Sequence, residues 1–225
     1  MSSRPLKVAY AGFALLGAAV LGAYVYDRTR APPASPPRAL AAAAAVTVKA
    51  PTIPIRRPDF ALKDLDGRSR PISDWDGKAL VINFWATWCA PCRREIPLLN
   101  RIAHDYLAQG VTVIGVAVDF ADDVRAFSKD FPIRYPLLIG EEDGLETARA
   151  FGVQTMAFPF TAFTDSQGRM LALHMGELHA AEAQAILSVV ARVDAGALTP
   201  VEARSEIQAA LAALPPEPVL HPAKG

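Results

Sequence analysis

The first strong pattern along the chain is an uncharged apolar run of 19 residues, Val8 to Tyr26. At the helical rise per residue it spans about 28 Å, close to the roughly 30 Å hydrocarbon core of a bilayer. Tyr10, Tyr24 and Tyr26 stand near its ends, where amphipathic rings prefer the interface. A cleaved signal peptide is the competing reading. The run is longer than the roughly 7–15 apolar residues of a signal core, and Asp27-Arg28-Thr29-Arg30 makes a poor cleavage site. The pattern therefore predicts a short N-terminal segment at 1–7 and one transmembrane helix at 8–26. Arg4 and Lys7 precede the span while Arg28, Arg30 and Arg38 follow it, so charge alone leaves its orientation open. Residues 27–57 are rich in Ala and Pro and read as a stiff, polyproline-like stalk.

From Pro58 the pattern becomes that of a folded domain, predicted to occupy 58–193. Asp59 to Leu65, the turn Asp66-Gly67, and Arg68 to Ile72 suggest a hairpin. Ala79 to Trp85 and Val111 to Val118 are near-continuous apolar runs, as expected of strands buried on both faces. Between them, Leu98, Leu99, Ile102, Tyr106 and Leu107 recur at helical spacing over Cys89 to Gln109, with Gly110 as the stop. Short helices are predicted over 122–130 and 145–151. A strand hairpin follows at Phe160 to Thr164 and Arg169 to His174, then a closing helix over 180–193. Alternation of this kind implies an α/β fold, a central mixed sheet flanked by helices. In the remaining segment, 194–225, Thr199-Pro200-Val201-Glu202 supplies an N-cap, a first-turn proline and a capping-box glutamate. Val201, Ile207, Ala210, Leu211 and Leu214 would give that helix its apolar stripe, before a loose tail.

Composition narrows the function. Lys plus Arg and Asp plus Glu are both 23, so the net charge is zero, and no basic run offers a nucleic-acid surface. The chain holds two cysteines, Cys89 and Cys92. A bridge across so short a loop stabilises a fold weakly, which favours chemistry over stapling. The pair follows a buried strand and opens a helix. There the N-terminal N–H groups and the helix dipole favour a thiolate at Cys89. Cys92 lies about one turn further on, within reach of the first sulfur. The spacing predicts attack by an exposed Cys89 on a partner disulfide and resolution by a more buried Cys92, with no cofactor beyond the redox-active Cys89–Cys92 disulfide. A zinc half-site is the bland alternative, but no second cysteine pair accompanies this one, and His104, His174, His179 and His221 are scattered.

The segment Asn83-Phe84-Trp85-Ala86-Thr87-Trp88-Cys89-Ala90-Pro91-Cys92-Arg93-Arg94-Glu95-Ile96-Pro97 resembles the active-site stretch of the TlpA/ResA/CcmG family of membrane-anchored, thioredoxin-like thiol:disulfide oxidoreductases. The likeness extends more loosely from about Pro58 to Val193, including the Phe-x-Asp-x-x-Gly segment at Phe163 to Gly168. It implies a thioredoxin-like fold facing the periplasm from the inner membrane, and a reductant resupplied by a transmembrane donor of the CcdA or DsbD type. The implied substrates are disulfides of apocytochrome c or of copper-site assembly proteins. Glu95, one helical turn after Cys92, is implied to assist proton transfer at the cysteines, or else is a helix-stabilising acid. Pro159 is the expected cis-proline, with Trp88 and Phe158 beside it as substrate-binding candidates.

The sequence departs from the family's common Gly-Val-x-Gly-x-Pro pattern. Gly152 to Pro159 is two residues longer, and Met156, Phe158 and Phe160 make either a hydrophobic rim for an apolar partner surface or part of the core. Two other functions share parts of the pattern. A disulfide-forming oxidase would have the same fold and a more oxidising potential. A copper-binding assembly protein of the Sco type would use both cysteines with a distant histidine such as His174, but spaces its cysteines by three residues rather than two. The Pro-x-x-x-Thr-x-x-Cys pattern of thiol peroxidases is absent.

Overall fold

The two long apolar runs become the centre of one sheet. The computed structural model describes residues 53–154 and 157–215. Strands β1 (Ala61–Lys63) and β2 (Ser69–Pro71) form the first hairpin, followed by a 3-10 turn over Ile72–Trp75. Then come β3 (Ala79–Trp85), α1 (Ala90–Asp105), β4 (Val111–Val118), α2 (Ala121–Asp130), β5 (Leu137–Gly140) and α3 (Glu142–Ala150). The last elements are β6 (Phe160–Thr164), β7 (Met170–Met175), α4 (Ala180–Asp194) and α5 (Pro200–Ala213). The strand order is β2-β1-β5-β4-β3-β6-β7. β3, β4 and β5 run parallel, and the hairpins add antiparallel at both sides. This is the helix-flanked mixed sheet that the pattern predicts, and the thioredoxin-like fold that the resemblance implies.

The period-two geometry of β3 divides its side chains between two cores. Val81 and Trp85 join Leu99 and Ile102 of α1 and the buried face of α4. Leu80, Ile82 and Phe84 turn the other way, against Ala148 of α3 and Phe151. Asn83 belongs to the α1 face and is the polar residue in an otherwise apolar strand, 1% exposed. Register then assembles the functional end of the sheet. Trp85 pairs with Ala117, so the loop leaving β3 meets the loop leaving β4. Phe84 pairs with Phe160, so the segment entering β6 arrives at the same edge.

Three expectations are corrected. The sequence pattern contains no signal for β5: four residues between Pro136 and a helix are too few to show a period, yet this strand joins the first hairpin to the parallel core through Lys63 and Ile139. In α5, Ile207 is buried as the stripe predicts, but Val201 is 71% exposed and Ala203 takes its place on the buried face. Val201 sits two residues before Ala203, about 200° away around the helix. Helix α1 ends at Asp105, so Leu107 falls in a separate 3-10 turn and is exposed. The Thr199 cap, with Pro200 and Glu202, forms as the sequence predicts. Among the described residues no helix is long and apolar enough to cross a membrane. The predicted span at 8–26, most of the stalk, Met156 and the final tail lie outside the described residues.

Candidate active site

The loop from β3 to α1 brings the cysteines to the edge of the sheet. Cys89 is the N-cap of α1: its backbone is extended, and its Sγ accepts the Cys92 N–H at 3.3 Å. Pro91 lies in the first turn, where a missing N–H costs nothing. Cys89 and Cys92 form a disulfide, with Cα atoms 5.3 Å apart. The expected contrast in exposure is reduced in this oxidised state: Cys89 is 5% and Cys92 1% exposed. Cys89 is thus buried rather than exposed, because its sulfur turns onto the helix end to meet Cys92.

Around the pair, Trp88 is 60% exposed and its ring lies 6.2 Å from that of Phe158. Asp119, just beyond β4, holds this loop. Its Oδ2 accepts from the Thr87 N–H at 2.9 Å and the Thr87 hydroxyl at 2.6 Å, and its Oδ1 accepts from the Phe120 N–H at 2.9 Å. The Phe158–Pro159 peptide is cis, and the Pro159 carbonyl accepts from the Gly176 N–H at 2.9 Å. Phe158 is half-buried, but Phe160 is not part of a rim. It is fully buried and stacked on Phe84 at 4.3 Å, because strand alternation turns it into the second core.

Glu95 lies beneath the disulfide-bearing end of α1, 2% exposed. Its Oε1 accepts from Asn83 Nδ2 and its Oε2 from the Leu178 N–H, each at 2.8 Å. Asn83 also donates to the Thr161 hydroxyl at 3.0 Å, which fixes its amide. Burial pushes the Glu95 carboxyl up to about 7, a rise resisted by the Leu178 and Asn83 donors and aided by the Glu177 charge. Tyr135 is pushed above its ordinary value by burial and then by Glu95. Its hydroxyl and the Trp85 indole N–H are buried without a hydrogen-bond partner among the described residues.

The site therefore places a buried acid, its carboxyl pushed up to about 7, one helical turn from a redox-capable cysteine pair. The His174 Nε2 lies 3.3 Å from the Glu177 carbonyl and 3.6 Å from the Glu182 carboxylate.

The model of the AhpC/TSA family matches residues 56–172, which include the cysteines, Glu95 and Pro159. The chain belongs to the AhpC/TSA family. Among curated proteins it is 35% identical over 122 residues to the thiol-disulfide oxidoreductase ResA of Geobacillus thermodenitrificans, covering 54% of this chain and 68% of that protein. It is 34% identical over 125 residues to the thioredoxin-like protein YneN of Bacillus subtilis, covering 54% and 70%. A crystal structure of a DsbE-type thiol:disulfide interchange protein from Chlorobium tepidum superposes with a TM-score of 0.56 at 30% identity, covering 62% of this chain and 99% of that one. With its paired cysteines, this member of the family is a thiol:disulfide oxidoreductase of the ResA/DsbE type.

Several participants were not singled out from the sequence: Asn83, Asp119, Tyr135, Thr161, Glu177 and Leu178. Asn83 alone carried a signal, an amide interrupting an apolar strand that should otherwise be buried on both faces.

Proposed function

We propose that this chain is a membrane-tethered disulfide reductase of the periplasm, acting on partner proteins in cytochrome c maturation or in assembly of oxidase copper sites. The observation that carries the reading is the Cys89–Cys92 disulfide at the N-terminus of α1, with the Glu95 carboxyl buried one helical turn from Cys92. The apolar run at 8–26 supports tethering, and the relatives named thiol-disulfide oxidoreductase ResA support the thiol–disulfide chemistry.

In the reduced enzyme the Cys89 thiolate, favoured at the N-terminus of α1, attacks one sulfur of a partner disulfide. A mixed disulfide forms and the partner's other sulfur leaves as a thiolate. Glu95, ionised above its midpoint, accepts the Cys92 proton, and the Cys92 thiolate attacks Cys89 Sγ. The Cys89–Cys92 disulfide forms, the partner's first sulfur leaves as a thiolate, and the partner's disulfide has taken two electrons in all. Trp88 and Phe158 would border the partner segment, with Pro159 beside it. A transmembrane donor of the CcdA or DsbD type would return two electrons to the pair.

Trapping tests the assignment. Cys92→Ser removes the resolving thiol, so Cys89 should accumulate a mixed disulfide with its partner in cells, while Cys89→Ser should not. Capture of apocytochrome c or a copper-site assembly protein supports the reading. No covalent partner, together with failure of the reduced chain to open insulin disulfides, would refute it.

A further inference from the structure

Consecutive residues of α1 grip consecutive residues of the loop between β7 and α4. Arg94 Nε lies 2.9 Å and 3.2 Å from the two Glu177 carboxylate oxygens, and its Nη2 lies 2.5 Å from Oε2. The next residue of the helix, Glu95, turns inward and accepts the N–H of the next residue of the loop, Leu178, at 2.8 Å. The loop is held on its other side too: the Gly176 N–H donates to the Pro159 carbonyl, and His174 Nε2 reaches the Glu177 carbonyl. Three successive residues thus bind the cis-proline, the surface arginine and the buried acid.

We infer that the Arg94–Glu177 pair is a positioning clamp: it holds the Leu178 N–H on Glu95 and so sets the proton affinity of the acid beside the cysteines. The inference rests on the thiol–disulfide reading of this site. An ion pair this exposed ordinarily contributes little to stability, with Arg94 56% and Glu177 22% exposed at their side chains. Its two-pronged geometry does something else, fixing the orientation of the group it grips.

The groups around Glu95 give the sign. From β3, Asn83 donates to it; from the loop, the Leu178 N–H donates and Glu177 brings a like charge; from the segment before β5, Tyr135 contributes a neutral buried phenol. On its own helix are the Cys89–Cys92 disulfide, which does not titrate, and the outward Arg94. Removing Arg94 loosens a donor that favours the carboxylate and leaves the Glu177 charge uncompensated. Both changes raise the affinity of Glu95 for its proton.

The test is carboxyl-carbon NMR titration of the oxidised full chain, labelled at glutamate, with the Glu95 signal assigned by its loss in Glu95→Gln. The wild-type midpoint is expected near 7. Arg94→Gln should raise it by about half a pH unit to one unit, the size expected from weakening one hydrogen bond to a charged group. Exchange of the Leu178 amide should quicken in the same variant. Arg94→Lys keeps the charge but not the fork, and its midpoint should fall between the two. A midpoint that Arg94→Gln leaves unchanged or lowers overturns the clamp. The readout needs no partner and no free thiol. A shifted midpoint in a chain that cannot reduce disulfides would refute the functional reading and leave the clamp standing.

Discussion

Glu95→Gln should flatten the pH dependence of stability in a way that can be calculated from the site. In the folded protein the carboxyl titrates near 7, and in the unfolded chain it returns to its ordinary 4.5. Between these values the folded state keeps a proton that the unfolded chain has released. Stability conferred by this group is therefore full below pH 4.5, falls as the pH rises, and levels off above 7. The gap, 7 minus 4.5, is 2.5 pH units; at about 1.36 kcal/mol per unit the loss is about 3 kcal/mol. A glutamine amide does not titrate. It also turns an N–H₂ toward either Leu178 or Asn83, both donors, but that cost is independent of pH. Urea unfolding of the oxidised chain at intervals from pH 4 to 8, followed by tryptophan fluorescence, gives both stability curves. The difference between wild type and variant should change by about 3 kcal/mol across the window, with the wild type losing ground as pH rises. Using oxidised protein keeps thiol titration out of the comparison. Two parallel curves would refute the reasoning, because a carboxyl buried in both charge states must show this slope.

Other outcomes follow from the same geometry. Asp119→Ala leaves the Thr87 and Phe120 N–H groups without their acceptor and should cost about 1–3 kcal/mol by urea unfolding, with weaker reduction of insulin disulfides as the Trp88 loop loosens. Arg204→Ala removes the guanidinium that donates to the Met170 carbonyl at 2.7 Å and 2.9 Å, and should speed amide exchange across α5 while leaving the Glu95 midpoint in place.

The sequence made the centre of the fold plain and left its periphery obscure, for physical reasons. Ala79 to Trp85 and Val111 to Val118 are long enough, and apolar enough on both faces, to be central strands and nothing else. Cys89 and Cys92 were legible because a two-residue spacing between a strand and a helix is itself a chemical arrangement. β5 was not legible, since Leu137–Gly140 is too short to show a period. Phe160 could be read as rim or as core because the direction of a side chain depends on register, which Pro159 and the pairing of Phe84 with Phe160 set only in the folded state. The surroundings of Glu95 were hidden for a related reason. Asn83, Tyr135 and Leu178 come from three separate segments, and nothing in their local sequence announces that they meet.

The equilibrium potential of the Cys89–Cys92 pair, measured against glutathione or dithiothreitol, tests the proposed direction of electron flow most directly. A reductase should have a potential close to that of thioredoxin, about −270 mV. A value close to that of DsbA, about −120 mV, would mark the pair as a donor of disulfides and contradict the proposed reductase.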